Sequence, residues 1–150
     1  MKNMEIRIRA YQSATDLKKL SNIWFDASSL AHAFVGHERL LEQRYLIETQ
    51  YLPNAETWVA IQDEVPVGFI SLLDTFVGGL FVAPHCQGTG IGRRLITHAL
   101  DLKGALSLEV YTENVQALDF YNALGFKELS RRAVDDDGLP FENAQMELKR

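Results

Sequence analysis

The stretch that most constrains this chain runs from Leu80 to Gly92: Leu80-Phe81-Val82-Ala83-Pro84-His85-Cys86-Gln87-Gly88-Thr89-Gly90-Ile91-Gly92. It begins as an apolar strand and breaks at Pro84. It continues as a glycine-rich loop and is helical in pattern from Arg93. A strand that feeds a glycine loop and then a helix leaves free backbone N–H groups at the helix N-terminus. With the helix dipole, those groups form a site for phosphate. Glycines at alternate positions put no side chain between a phosphate and the backbone.

The loop excludes two common nucleotide sites. Counting G-x-G-x-x-G from Gly88 requires glycine at 93, where Arg93 stands, so the dinucleotide fingerprint fails. No Lys-Ser/Thr pair follows the last glycine, so the nucleoside-triphosphate loop fails too. The pattern that fits is Gln/Arg-x-x-Gly-x-Gly/Ala, carried by Gln87, Gly90 and Gly92. With its preceding strand it resembles the coenzyme A loop of the GNAT superfamily of N-acetyltransferases. Taken alone, the same glycines also suit a structural turn.

At 150 residues, the chain reads as one domain, 1–150. Its net charge of −5 argues against a nucleic-acid partner, which needs a basic face, and suits a cationic acceptor such as an amine. The single cysteine, Cys86, allows no internal disulfide. With no signal-peptide pattern and no apolar run of membrane-spanning length, the expected compartment is the cytoplasm, with no membrane partner. Four scattered histidines and one cysteine show no metal-ligand spacing, so no metal is expected.

Taken in order, Met4 to Arg9 alternates as a half-exposed strand, with Ile6 and Ile8 on one face. Thr15 or Asp16 is expected to cap a helix that ends near Ser28 to Leu30. A loop, Ala31 to Gly36, leads to a second helix, Glu38 to Tyr51, closed by Pro53-Asn54. Trp58 to Ile61 and Val67 to Leu73 read as a hairpin about the turn Asp63-Glu64-Val65-Pro66. The strand Val77 to Val82 ends at the glycine loop. Its helix carries Ile91, Leu95, Ile96, Ala99, Leu100 and Leu102 at helical spacing and stops at Gly104. Leu106 to Tyr111 is a strand, and Val115 to Leu124 a helix ended by Gly125. Phe126 to Val134 and Gln145 to Leu148 form a last hairpin, with Asp135-Asp136-Asp137-Gly138 as its turn. The order is βααβββαβαββ, an α/β (α+β) chain with a mixed twisted sheet. The strands flanking the glycine-loop helix should be parallel neighbours. The other pairings are expected to be hairpins.

A second motif strengthens the resemblance. Asn114-Val115-Gln116-Ala117-Leu118-Asp119-Phe120-Tyr121-Asn122-Ala123-Leu124-Gly125-Phe126 reads N-x-x-A-x-x-F-Y-x-x-x-G-F. It is similar to the second GNAT signature and stands at the expected distance after the first. The resemblance is specific across Leu80 to Phe126, and the element order extends it over the chain. It implies the acyl-CoA N-acyltransferase fold and acetyl transfer from acetyl-CoA to a primary amine of a small molecule or a protein N-terminus. The implied cofactor-binding residues are Leu80, Phe81, Val82, Gln87, Gly88, Thr89, Gly90, Ile91, Gly92, Arg93, Asn114 and Tyr121. In that family the strands before and after the glycine-loop helix splay apart. Pantetheine enters the gap and pairs with the first strand.

The resemblance also assigns chemistry. Tyr121 is the implied general acid, protonating the departing thiolate. A backbone N–H at the end of the Leu80 to Val82 strand would polarise the thioester carbonyl. Glu109 is a charged residue in a strand that should be mostly buried. Desolvation raises a carboxylate pKa toward that of a useful base. The Leu108-Glu109-Val110 context resembles ribosomal-protein N-terminal acetyltransferases, where a glutamate at that point accepts the proton. A salt bridge from Glu109 to a neighbouring arginine, and a base reached through water, stay open beside that role. His32 and His37 are expected at the surface, and Asp135 to Asp137 in a solvated turn. Asn114 is expected to cap its helix. Cys86 is read as a small packed residue beside the phosphate loop. The alternative to an enzyme is a CoA-binding regulatory module on the same fold, and a monomer or homodimer fits either.

Overall fold

The computed structural model describes residues 5–150. Strand β1 is Ile6–Ala10, and Met4 of the expected first strand lies outside the described residues. Helix α1 is Ser13–Ala31. After a single turn at Ala33–Val35, α2 runs over His37–Leu46 and continues as a wider turn, Ile47–Tyr51, and a last turn, Leu52–Asn54. Then come β2 (Glu56–Gln62), β3 (Val65–Leu73), β4 (Phe76–Val82), α3 (Ile91–Lys103), β5 (Ala105–Tyr111), α4 (Val115–Leu124), β6 (Lys127–Arg132) and β7 (Asn143–Lys149). This is the expected βααβββαβαββ order, with boundaries displaced by a few residues.

The strands form one seven-stranded sheet in the order β1-β2-β3-β4-β5-β7-β6. The β4–β5 pair flanking α3 is parallel, as expected. The expectation that the remaining pairs are hairpins fails twice. β1 pairs antiparallel with β2 across both intervening helices, and β7 inserts between β5 and β6. Alternation reports which face a strand buries; it carries no information on a partner distant in sequence. The last hairpin is also looser than its Asp-Gly pair suggests. β6 ends at Arg132, β7 begins at Asn143, and residues 133–142 connect them.

The core lies between the sheet and its helices. Phe69, Ile70 and Leu72 of β3 pack with Leu20 of α1, Leu95 and Ile96 of α3, and Leu106 of β5, all nearly inaccessible. Each such side chain contributes about 1.5–3 kcal/mol through burial. The amphipathic spacing of α3 thus serves to hold the glycine loop against the centre of the sheet.

The N-terminus of α1 departs from expectation. Neither Thr15 nor Asp16 is its cap: Gln12 occupies that position and its side chain makes no capping bond. Asp16 lies one turn inside and accepts from the Gln12 backbone N–H at 2.8 Å. It also accepts two bonds from the Arg9 guanidinium, at 2.7 and 2.9 Å. The Arg9 pairing, outweighing burial, holds the Asp16 carboxyl below its usual range. A single buried side chain therefore ties α1 to the β1 strand.

Candidate active site

β4 and β5 pair only at Phe76 with Ser107 and Val77 with Leu108. Beyond that point they diverge. The cause is visible on the other side of β4, where Ser71 faces Gly79 but Leu72 faces Val77. Gly78 is therefore an extra residue in β4, and a bulge of this kind bends its strand. The bend opens a cleft of about 590 Å³ between the two strands. The end of β4 and the glycine loop form one side. The end of β5, α4 and the β6–β7 connection form the other.

At the loop end, Gly90 caps α3 with φ +89°, and no side chain caps that helix. The first N–H groups of a helix have no partner within it, so those of α3 are left to a ligand. A Cβ on Gly90 would meet no atom within 4 Å but would sit in a left-handed conformation that a β-branched residue avoids. Gly92 serves another purpose. A Cβ there would stand 3.0 Å from the Phe120 ring, so this glycine lets α3 approach α4. The Gln87 side chain donates to the Val82 carbonyl at 3.1 Å and ties the loop to the end of β4.

Leu80, Phe81, Val82, Gln87 and Gly88 border the cleft, as do Gly90, Gly92, Arg93 and Asn114. Two members of the expected cofactor set behave differently. Thr89 lies off the cleft wall, and its hydroxyl donates to the Cys86 carbonyl at 2.5 Å. Ile91 borders the cleft, yet only 1% of it is accessible: its side chain belongs to the core, so its backbone is what remains for a ligand. Cys86 is buried on the same wall, and burial pushes its thiol pKa up.

Tyr121 reaches the cleft from α4. Its ring packs edge-on against Phe120 and Phe126, 5.2 and 5.3 Å away. Among the described residues its hydroxyl has no hydrogen-bond partner, and burial raises its pKa well above the ordinary phenol value. Asn114 caps α4 as expected, its Oδ1 accepting from the Ala117 N–H at 3.2 Å.

The far end of the cleft is built from side chains of separated segments. Glu109 faces it from β5 and accepts from Arg132 Nη2 at 2.8 Å. Burial raises the Glu109 pKa, the nearby Asp136 adds to the rise, and Arg132 opposes it. Both features weighed for Glu109, a burial-raised carboxyl and an arginine partner, are therefore present together. The expectation of a solvated Asp135 to Asp137 turn is corrected at its first residue: Asp135 is buried. It accepts from the Asp137 and Leu139 N–H groups at 3.0 and 2.9 Å and from the Tyr111 hydroxyl at 3.3 Å. Arg39 of α2 pairs with both Asp135 and Asp137, pulling the connection toward the helices. Burial and the Asp135 charge push the Tyr111 phenol up to about 12.

His32 was expected at the surface and is instead half-buried in the cleft wall, whereas His37 is exposed. Its ring stands edge-on to Phe34 and Tyr111. Asn114 uses its oxygen as the cap, so its NH₂ group points at His32 Nε2, 3.3 Å away, and that nitrogen accepts. Burial lowers the His32 pKa, which agrees with a neutral ring. This bridge joins the end of α1 to the start of α4 and has no local signature in sequence. Among the described residues no group of histidine, cysteine, aspartate and glutamate could hold a metal ion, and no helix is long and apolar enough to cross a membrane.

Comparison with known proteins gives the arrangement a family. Residues 53–128 match the family described as acetyltransferase (GNAT) domain. The peptidyl-lysine N-acetyltransferase YjaB of Salmonella typhimurium is 38% identical over 125 residues, 83% of this chain and 86% of that protein. The solution structure of apo-form YjaB from Escherichia coli aligns with a TM-score of 0.87 at 34% identity. That alignment covers 96% of this chain and 97% of the other. At 20% identity, the fold alone is shared with the PaiA N-acetyltransferase of Thermoplasma acidophilum, whose crystal structure contains coenzyme A. There the TM-score is 0.79 over 98% of this chain and 100% of the other. The uncapped glycine turn, the splayed strands and the tyrosine between them are thus set in a shared fold, and the chain belongs to the GNAT family of acetyltransferases.

Proposed function

We propose that the protein transfers the acetyl group of acetyl-CoA to the ε-amine of lysine in a protein or peptide. The observation that carries this reading is the continuity of the cleft. It leads from the uncapped N-terminus of α3, past the unpaired edge of β4, to Tyr121 and Glu109. The pyrophosphate of CoA suits the free N–H groups at Gly90 to Arg93. Pantetheine suits the β4 edge, where strand-like pairing is available. The lysine acceptor is supported by the peptidyl-lysine activity named for YjaB and by the carboxylates at the far end of the cleft.

The chemistry follows from the side chains. The ammonium loses a proton to Glu109, directly or through water. The free amine attacks the thioester carbonyl, and a β4 backbone N–H stabilises the developing oxyanion. The C–S bond breaks, and the thiolate takes the phenolic proton of Tyr121. The attacking nitrogen, now positively charged, loses its second proton as the amide forms, and that proton returns Tyr121 to the phenol through solvent. The test is acetylation of a lysine peptide, followed by thiol release and by the mass of the product. Release of thiol with a matching acetylated lysine supports the reading. Tight CoA binding with no acetylated peptide or other amine would replace it with a CoA-binding regulatory module.

A further inference from the structure

Arg132 holds two acids with one nitrogen. Its Nη2 donates to Glu109 Oε2 at 2.8 Å and to Asp136 Oδ1 at 2.9 Å. Its Nε is buried and has no hydrogen-bond partner among the described residues. The neighbouring Arg131 behaves in the ordinary way, giving Nε and Nη2 to the two oxygens of Glu128, both at 3.0 Å. Arg9 likewise grips Asp16 with two nitrogens. A two-pronged grip fixes a carboxylate firmly in its charged form. Arg132 forgoes that grip on Glu109 and gives one hydrogen of Nη2 to each of Glu109 and Asp136.

The two acids differ in setting. The Glu109 side chain faces the cleft and is 27% accessible, while that of Asp136 is 77% accessible on the connection after β6. Around this end of the cleft stand Asp135 and Asp137 from the same connection, Tyr111 from β5, His32 after α1 and Tyr121 from α4. Arg39 approaches from α2. On β7, the residue opposite Glu109 is the neutral Gln145. Of these groups, Arg132 and Asp136 are the charged ones whose fields act appreciably on Glu109.

We propose that Arg132 and Asp136 are positioning residues for Glu109: by sharing Arg132 Nη2, so that Glu109 is held through one N–H and not two, Asp136 keeps Glu109 basic enough to take a proton from the acceptor ammonium. The proposal rests on the reading of Glu109 as base. In physical terms, full pairing with Arg132 would stabilise the carboxylate and weaken it as a base. The Asp136 charge acts in the opposite direction, both by repelling Glu109 and by holding Arg132. Partial burial of the Glu109 side chain weakens screening of Arg132 at this point, whereas the exposed Asp136 is screened more strongly.

The two neighbours therefore predict shifts of opposite sign. The experiment is a carbon-13 NMR titration of the Glu109 carboxyl in the full protein, in the wild type, Arg132→Gln and Asp136→Asn. Removing the cation should move the Glu109 midpoint to higher pH. Removing the competing acid should move it to lower pH, by less, because Asp136 is the more exposed partner. Arg132→Lys should bring the midpoint back toward the wild type. Midpoints that stay put, or that move the same way in Arg132→Gln and Asp136→Asn, would overturn the proposal. The acid limb of kcat/KM for a lysine peptide is measured alongside. A limb that follows the carboxyl in both variants supports both readings. A shifted carboxyl whose rate profile does not follow leaves the charge division supported and removes Glu109 as base.

Discussion

At the glycine-loop end of the cleft, the polar groups offered to a ligand belong to the backbone; at the far end they belong to side chains. The loop end is a short continuous segment, residues 87–93, held by one bulge in β4 and one close contact between Gly92 and Phe120. The far end draws on α1, α2, β5 and the β6–β7 connection, tied by Arg39, Arg132 and the His32–Asn114 bridge. Backbone recognition depends on conformation, and conformation depends on where glycines fall. Side-chain recognition depends on which distant residues meet. The two ends should therefore fail differently when altered.

Among changes that separate the two ends, the largest effect is expected at the loop end. Gly90→Val puts a β-branched residue in a left-handed turn and a side chain where the phosphate is proposed to bind. Losing two charge-assisted backbone hydrogen bonds, at about 1.5 kcal/mol or more each, weakens CoA binding roughly 100-fold by calorimetry. Gly104→Val is the control. Gly104 is also left-handed, with φ +81° and open space around it, but it caps the opposite end of α3. It should lower thermal stability and leave CoA affinity unchanged. Equal loss of affinity in both variants would mean that the loop acts through the stability of α3 alone.

The next effect tests the anchor of α1, whose C-terminal end leads to the far wall. Asp16→Asn leaves Arg9 without its partner and should cost about 2 kcal/mol, below the usual cost of breaking a buried pair because Arg9 is partly exposed. Arg9 lowers the Asp16 pKa in the folded protein. The stabilisation is thus fully present above the ordinary carboxylate range and is lost as pH falls through the lowered folded value. Denaturant unfolding of wild type and variant should differ at pH 7 and converge in acid. A difference that grows in acid contradicts the sign.

A smaller and more selective effect is expected from Arg39→Ala. It releases the β6–β7 connection from α2, so KM for the acceptor should rise about threefold to tenfold, as for a partly exposed ion pair of about 1 kcal/mol. CoA affinity should not change. A parallel loss in both would show that the two ends are not separable. The smallest effect concerns Cys86, which is buried with a raised thiol pKa on the cleft wall. Alkylation should be slow, and slower again with CoA present. Equal rates with and without CoA would count against the proposed cofactor path.

The same contrast explains what could be read from the residues alone. The α3 turn, the Asn114 cap and the parallel β4–β5 pair follow from spacings within a few dozen residues, and each is found where expected. The insertion of β7 between β5 and β6 is not written in either strand's alternation. His32 carried no periodic signal because its partner, Asn114, is distant in the chain. Asp135 looked like one of three solvated aspartates. Its burial depends on Arg39, Tyr111 and two backbone N–H groups that only the fold assembles. Glu109 stood out because a charge is unusual in a strand expected to be mostly buried, whereas Arg132, its partner, sat unmarked among the basic residues of an edge strand.

The claim that one cleft joins donor and acceptor at Tyr121 is tested most directly by Tyr121→Phe. The substitution removes one oxygen that has no hydrogen-bond partner among the described residues and leaves the ring packed against Phe120 and Phe126. Acetylation of a lysine peptide is measured across pH 6 to 9, with CoA affinity by calorimetry on the same preparation. The account predicts unchanged CoA affinity and a fall in turnover of roughly 10²–10⁴-fold, the contribution of a general acid. Undiminished turnover in the folded variant would contradict it.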